Sequence, residues 1–250
     1  MVYLEVKVPQ GIKIAVIGDV HGHEPHFDAM LEKISPSKDK MFFVSVGDIY
    51  HKGFGLKAAE SITNKMRALS EGGMGFIVQG NHELQEFRKA KKSSIKLSEQ
   101  LAWLKSQPLA ISFVFHNQTR VTVLHGGVTP VHTWEDLKHN TEIAYIRTVN
   151  VNGQYIRLER CVDGYGNETI KPAESGALWH DVYDGRFGYI ASGHNAQHDG
   201  KAKSFKYSCN VDSAVYNTGI LTSQVFSSNG LDGDPIKIEL DAATPGKKYW

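Results

Sequence analysis

The sequence predicts an α/β protein, with a first half in which parallel strands alternate with helices and a second half rich in short strands. Three observations lead there. Short apolar runs repeatedly end in glycine beside an acid, an amide or a histidine. Stretches with apolar residues at helical spacing lie between the first of these runs. Asp19, Asp48 and Asn81, which follow the first three runs, stand 29 and 33 residues apart, close to the ~30 of a strand–helix–strand unit.

Taken in order, Ile12–Ile17 is the first strand and ends in Gly18-Asp19; Phe27, Met30, Leu31 and Ile34 then mark one face of a helix. Met41–Val46 is the second strand, ending in Gly47-Asp48. Leu56, Ala59, Ile62, Met66 and Leu69 mark a second helix, stopped by Gly72-Gly73. Gly75–Val78 is a third strand, running into Gly80-Asn81. Crossovers of this length make the strands parallel, so their ends share one edge. A helix is expected around Ser98–Ser106. Strands follow at Val121–Leu124, Phe187–Ala191, Tyr207–Val211, Gly219–Phe226 and Pro235–Leu240. Asn152-Gly153 is a dipeptide favoured in two-residue hairpin turns, and with the polar Cys161–Ser175 segment it reads as an insertion over about 149–175. The periodicity alone allows either a sandwich of two sheets or one mixed sheet. No repeat or low-complexity linker interrupts the chain, so residues 1–250 read as one domain.

Composition narrows the function classes. With 41% hydrophobic and 22% charged residues the chain can build a full core, which excludes intrinsic disorder and fibrous structure. A formal charge of +1 provides no global field toward nucleic acid or acidic membranes. No apolar run reaches the ~18 residues of a membrane span, and the start has no signal-peptide core. The 2 cysteines lack a Cys-Xaa-Xaa-Cys spacing, which fits a reducing compartment, so a cytoplasmic protein is expected. The unusual count is 12 histidines, since histidine is the commonest protein ligand for transition metals.

Five motifs carry the chemistry: Gly18-Asp19-Val20-His21-Gly22, Gly47-Asp48, Gly80-Asn81-His82-Glu83, His125-Gly126-Gly127 and Gly193-His194. Ligands of open α/β sheets gather beyond the carboxyl ends of the strands, so runs that keep ending this way build a site. Oxygen and imidazole donors without thiolate suit Mn, Fe, Zn or Ni. Their number exceeds what one catalytic ion with open positions uses, and two divalent ions sharing a carboxylate are the natural solution.

In this order the motifs resemble the calcineurin-like metallophosphoesterases, and within them the phosphoprotein phosphatase branch and its bacterial and phage relatives. The resemblance runs from about Ile14 to Phe226, with softer matches at Trp103–Leu109, Ala144–Arg147, Trp179–Arg186 and Asn210–Ser213. It implies a central β-sandwich of mixed sheets flanked by helices. It implies a first metal on Asp19 and His21, a second on Asn81, His125 and His194, Asp48 bridging both, and His82 as general acid. Water between two such ions is acidified to hydroxide and attacks phosphorus directly. A phosphorylated substrate follows. The resemblance points first to a serine/threonine protein phosphatase, a phosphomonoesterase. A phosphatase or hydrolase of nucleotides, dinucleoside polyphosphates or polynucleotide ends is the alternative, and a non-catalytic metal-binding scaffold a remoter one.

One departure bears on the substrate. Where the protein phosphatases read Asp-Arg-Gly, this chain reads His51-Lys52-Gly53. An imidazole replaces the carboxylate that would orient the acid, and an ammonium replaces the fork that would clamp phosphate. Lys52 is therefore expected at the phosphate; Arg186 or Arg147 is a candidate for the missing guanidinium, with a plain surface or structural role as the alternative for either. His23, His26 and His198 are expected as solvated loop residues, and Lys89–Lys92 as a solvated helix face.

Overall fold

The computed structural model describes residues 3–162 and 168–241, and of 158–162 and 168–172 the backbone alone. The first half is β1 (Leu4–Val8), β2 (Lys13–Ile17), α1 (Glu24–Ile34), β3 (Met41–Ser45), α2 (Leu56–Glu71), β4 (Gly75–Ile77), α3 (Asn81–Lys92), α4 (Glu99–Ser106), β5 (Ala110–Phe115) and β6 (Arg120–Leu124). α1 starts with proline in its first turn and buries Phe27, Met30 and Ile34; α2 buries Ala59, Ile62 and Met66. Both faces match the helical spacing in the sequence, except that Leu56 at the start of α2 is exposed.

β2, β3 and β4 are parallel neighbours, with Ile17 beside Ser45 and Ser45 beside Ile77. The strand Ile220–Ser227 lies antiparallel on the other side of β2 and carries Gly230–Leu231 and Ile236–Glu239. A second mixed sheet runs β1, β5, β6, Tyr189–Ser192, Ser208–Asn210, Lys203–Ser204. The fold is an α/β sandwich of two mixed sheets flanked by helices, as the resemblance implied.

Strand residues sort by parity. Ile14, Val16, Val44, Phe113, Val121, Val123 and Phe226 meet between the sheets. Ala15, Ile17, Phe43 and Ile77 face the other way, against α1 and α2. Phe43 stands edge-on to Phe27 at 5.6 Å. Parallel strands buried on both faces are continuous apolar runs, which is why they were legible as runs and not as alternations.

Two local expectations change. The segment at Asn152-Gly153 closes over a longer loop: Asn150 N–H donates to Gln154 O, and the Asn150 side chain accepts from the N–H groups of Asn152 and Gln154. A hairpin forms further on, where Leu158–Val162 pairs antiparallel with Glu168–Pro172; its connecting residues lie outside the described ones. His23 and His26 are not solvated but buried, with ring centroids 5.5 Å apart. His198 is exposed, and Lys89, Lys91 and Lys92 sit in the last turn of α3, where cations suit the helix dipole. Among the described residues no helix is long and apolar enough to cross a membrane.

Phe113 is fully buried between the sheets, 5.2 Å from the Phe76 ring. Phe113→Ala should lower unfolding stability by about 3–5 kcal/mol in urea titrations. A loss below about 1 kcal/mol would place this ring outside the shared core.

Candidate metal centre

Each ligand-type residue sits where a strand gives way to a loop. Past β2 come Asp19 and His21, past β3 Asp48, past β4 Asn81 at the start of α3, past β6 His125, and past Tyr189–Ser192 His194. All six are buried. His21 Nε2 lies 3.8 Å from Asp19 Oδ2 and 3.9 Å from Asp48 Oδ2, and His125 Nε2 lies 3.3 Å from Asp48 Oδ2 and 2.9 Å from Asn81 Oδ1. Two groups of donor atoms are each within 4.8 Å of one another: His21, Asp48 and His82, and Asp48, His125 and His194. Asp48 belongs to both.

Hydrogen bonds fix the imidazoles. A carbonyl can only accept, so His21 Nδ1 donates to Tyr50 O (3.2 Å), His125 Nδ1 to Val46 O (2.8 Å) and His194 Nε2 to Tyr145 O (3.1 Å). In each ring the other nitrogen is the one a metal would take, with His125 giving up its second proton and His21 its contact with Lys52, the usual arrangement behind a metal-bound histidine. The donor set of carboxylates, an amide and imidazoles fits divalent transition ions, and the shared carboxylate fits a pair of them.

Close approach of loops requires glycine at two points. A Cβ at Gly80 would overlap Asp48 Oδ1, and one at Gly193 would overlap Asp19 Oδ1. The Asp48 loop itself is latched by Glu83, a fully buried carboxylate. Its Oε2 accepts from the N–H groups of Asp48 and Gly80, each at 2.9 Å; its Oε1 accepts from those of Ile49 (2.8 Å) and Tyr50 (3.1 Å). The sequence reading quoted Glu83 but gave it no role. Its signal is its place three residues into a helix, from which a glutamate reaches back over the N-terminus.

Charge in the site is unevenly shared. Burial raises Asp19 well above the usual carboxylate range, helped by Asp212 and Asp48. Burial likewise raises Glu83, to about 7, with Asp48 adding to it. Burial works against the His125 imidazolium, yet Asp48 and Asp19 outweigh it and hold His125 at about 10. His125 therefore carries the countercharge of the acidic cluster when no cation is bound. Burial and Lys52 keep His21 neutral, and burial and Arg147 keep His194 neutral. Burial holds His82 at about 4 against the pull of Asp48.

Lys52 reaches the cluster: its Nζ is 3.1 Å from His21 Nε2 and 3.7 Å from the centre of the Tyr216 ring. Arg186 is turned elsewhere. Its guanidinium is held by Asp184 (2.6 and 2.9 Å) and by Pro130 O (2.8 Å). Arg147, the other candidate, donates to His194 O at 3.1 Å and lines a cleft of about 680 Å³ beside the cluster. Asn81, Tyr145, Tyr155, Arg88 and Arg157 share that wall. Of these, Arg88, Tyr155 and Arg157 escaped the sequence reading, because folding brings them together from two distant segments.

Comparison with known proteins places this geometry. The calcineurin-like phosphoesterase family pattern matches residues 12–216. The chain is similar to symmetrical bis(5'-nucleosyl)-tetraphosphatases of Wigglesworthia glossinidia brevipalpis (28% identity over 143 residues, 51% of this chain and 49% of that one) and Psychromonas ingrahamii (30% over 132 residues, 47% and 45%). The match spans about half the length of these relatives. Among solved structures it is similar to a provisionally assigned diadenosine tetraphosphatase (TM-score 0.65, 18% identity, 94% of this chain and 97% of that one). It is also similar to a protein serine/threonine phosphatase from Saccharomyces cerevisiae (TM-score 0.58, 16% identity, 97% and 85%). At such identities these two likenesses concern the fold.

Two outcomes test the centre. Glu83→Ala leaves four loop N–H groups without their acceptor and should cost at least about 3 kcal/mol of stability in denaturant titrations, at ~1–3 kcal/mol for each unsatisfied group. An unchanged midpoint would remove Glu83 as the latch. Coordination at His125 must displace its proton, so Mn²⁺ affinity should rise with pH between about 6 and 9, approaching tenfold per unit for each proton released. Titration calorimetry in buffers of different ionisation enthalpy counts those protons. A pH-independent affinity without proton release would contradict the assignment.

Proposed function

This chain belongs to the calcineurin-like phosphoesterase family, and from that premise we propose that it hydrolyses a phosphoanhydride bond of a dinucleoside polyphosphate. Metal-dependent phosphoester chemistry comes with the family; the substrate is our reading. One observation carries it: the cleft beside Asn81 and His194 is lined by Arg88, Arg147 and Arg157, the last paired with Glu142 of the same lining at 3.2 Å, and by Tyr145 and Tyr155. Guanidinium forks match a row of phosphates, and tyrosine faces match a nucleobase. The relatives named above supply independent support, being tetraphosphatases that act on bis-nucleosyl substrates by name. For the protein phosphatase expected first, the support is a likeness of fold and the family motifs, without the Asp-Arg pair.

In this reading Asp19, His21 and Asp48 would hold one ion, and Asp48, Asn81, His125 and His194 the other. Such a pair, when bound, acidifies water and neutralises phosphate charge. The protein's own groups do the rest. Arg147, anchored on His194 O, donates to the phosphates next to the cluster, with Arg88 and Arg157 along the same wall. Lys52 adds an ammonium close to His21. His82 Nε2, 3.7 Å from Asp48 Oδ2, gives its proton to the departing oxygen. An anhydride needs that proton least, because its leaving group is a weakly basic phosphate.

Turnover of a dinucleoside tetraphosphate should exceed that of a phosphoserine peptide by at least about 100-fold in kcat/KM, and Arg147→Ala should raise KM for the former by about 10–100-fold, the worth of a charge-assisted hydrogen bond of ~1.5–3 kcal/mol. Metal content should be unchanged in that variant. Preferential turnover of the peptide would return the protein phosphatase reading.

A further inference from the structure

The replacement of a carboxylate by His51 leaves the acid His82 without the usual anionic partner, and the structure shows what stands behind it. His51 Nδ1 is 2.7 Å from His82 Nδ1, and His51 Nε2 is 2.9 Å from Glu86 Oε1. Glu86 lies four residues after His82 on α3, so both face the same side of the helix. We propose that Glu86 is a positioning residue that acts on His82 through His51, as a carboxylate–imidazole–imidazole relay. The inference rests on His82 being the proton donor of the reading above.

The connectivity sets every proton. An ionised carboxylate only accepts, so His51 carries its hydrogen on Nε2 and offers a lone pair at Nδ1. His82 must then donate its Nδ1–H to that lone pair. This leaves Nε2 as the one position of His82 whose proton can come and go, and Nε2 is the nitrogen turned toward Asp48. In the step, a water oxygen bonds to phosphorus and releases a proton to solvent while the bond from phosphorus to the leaving oxygen breaks; its electron pair stays on that oxygen, and the Nε2 proton passes to it. His82 ends neutral with Nδ1–H still held by His51, and solvent restores the Nε2 proton.

The local structure is arranged around this chain of bonds. His51 and Lys52 both have φ near +70°, at 70° and 67°, a left-handed conformation uncommon for residues with side chains. That bend directs one side chain onto His82 and the other onto His21. Lys89, one turn along α3, donates to Glu86 Oε1 at 2.7 Å and helps keep the carboxylate charged and in place. Sequence reading stopped at His51 because the compensating group lies 35 residues away.

The test uses Mn²⁺-loaded full-length protein with phenyl phosphate and 4-nitrophenyl phosphate, whose leaving groups differ in their need for a proton. Glu86→Ala should lower kcat on phenyl phosphate about 10–100-fold more than on 4-nitrophenyl phosphate, the usual weight of an orienting partner, with metal content equal to the parent's. Glu86→Gln, which keeps an accepting oxygen, should recover most of that difference. In His51→Asp, an Asp oxygen takes the place of Nδ1 and meets His82 directly, so adding Glu86→Ala should change the ratio less than about twofold. Equal losses on both substrates, or the same Glu86 effect in the His51→Asp background, would overturn the relay. His82→Ala separates the two layers. If it shows the leaving-group dependence and Glu86→Ala does not, the relay alone fails; if His82→Ala shows none, the donor role fails and takes the relay with it.

Discussion

A buried carboxylate that holds four backbone N–H groups is the constraint on which this site depends. Glu83 ties residues 48, 49 and 50 to Gly80, the residue before α3. The loop after β3 is thereby fixed against the loop after β4, and Asp48, at φ 52°, is held in a backbone conformation that it would rarely adopt unaided. From that point Asp48 Oδ1 accepts from His82 N–H at 2.9 Å, and Oδ2 faces His21, His82 and His125. Burying Asp48 and Glu83 together is electrostatically costly. Four amides on one and surrounding imidazoles on the other offset that cost, and cations at the cluster would offset more.

The loop carrying His51 and Lys52 departs from the protein phosphatase pattern without leaving the site unserved. Lysine meets the cluster beside His21, and the guanidinium groups of Arg88, Arg147 and Arg157 line the neighbouring cleft. Positive charge is thus spread along a groove instead of being concentrated on one arginine. Under the proposed reading, a spread of this kind would serve several phosphates in a row.

How much of this was legible depends on whether a feature is written locally. The parallel strands β2, β3 and β4 are continuous apolar runs ending in glycine and a ligand type, so both their existence and the residues they deliver could be read. β5 was not read as a strand, although Ala110–Phe115 is buried throughout, because no ligand-type residue punctuates its end. Of α3 only the solvated face at Lys89–Lys92 was read, and the extent of the helix was not: beyond Leu84 and Phe87 its face is filled by polar and charged groups. That omission hid the relation of Glu86 to His82. The cleft was hidden for another reason, since Thr141–Arg157 and α3 meet only in the folded protein. Arg186 shows the converse. Proximity to a family motif suggested a phosphate contact, while the Asp184 two residues before it offers a nearer partner.

The central claim is that one carboxylate, Asp48, is shared by two metal ions. Electron paramagnetic resonance of the protein reconstituted with Mn²⁺ tests it most directly, because ions bridged by one carboxylate are magnetically coupled. The account predicts the broad spectrum of an exchange-coupled pair, replaced in Asp48→Asn by the hyperfine pattern of isolated ions or by loss of bound metal. An isolated-ion spectrum from the fully loaded parent protein would contradict it.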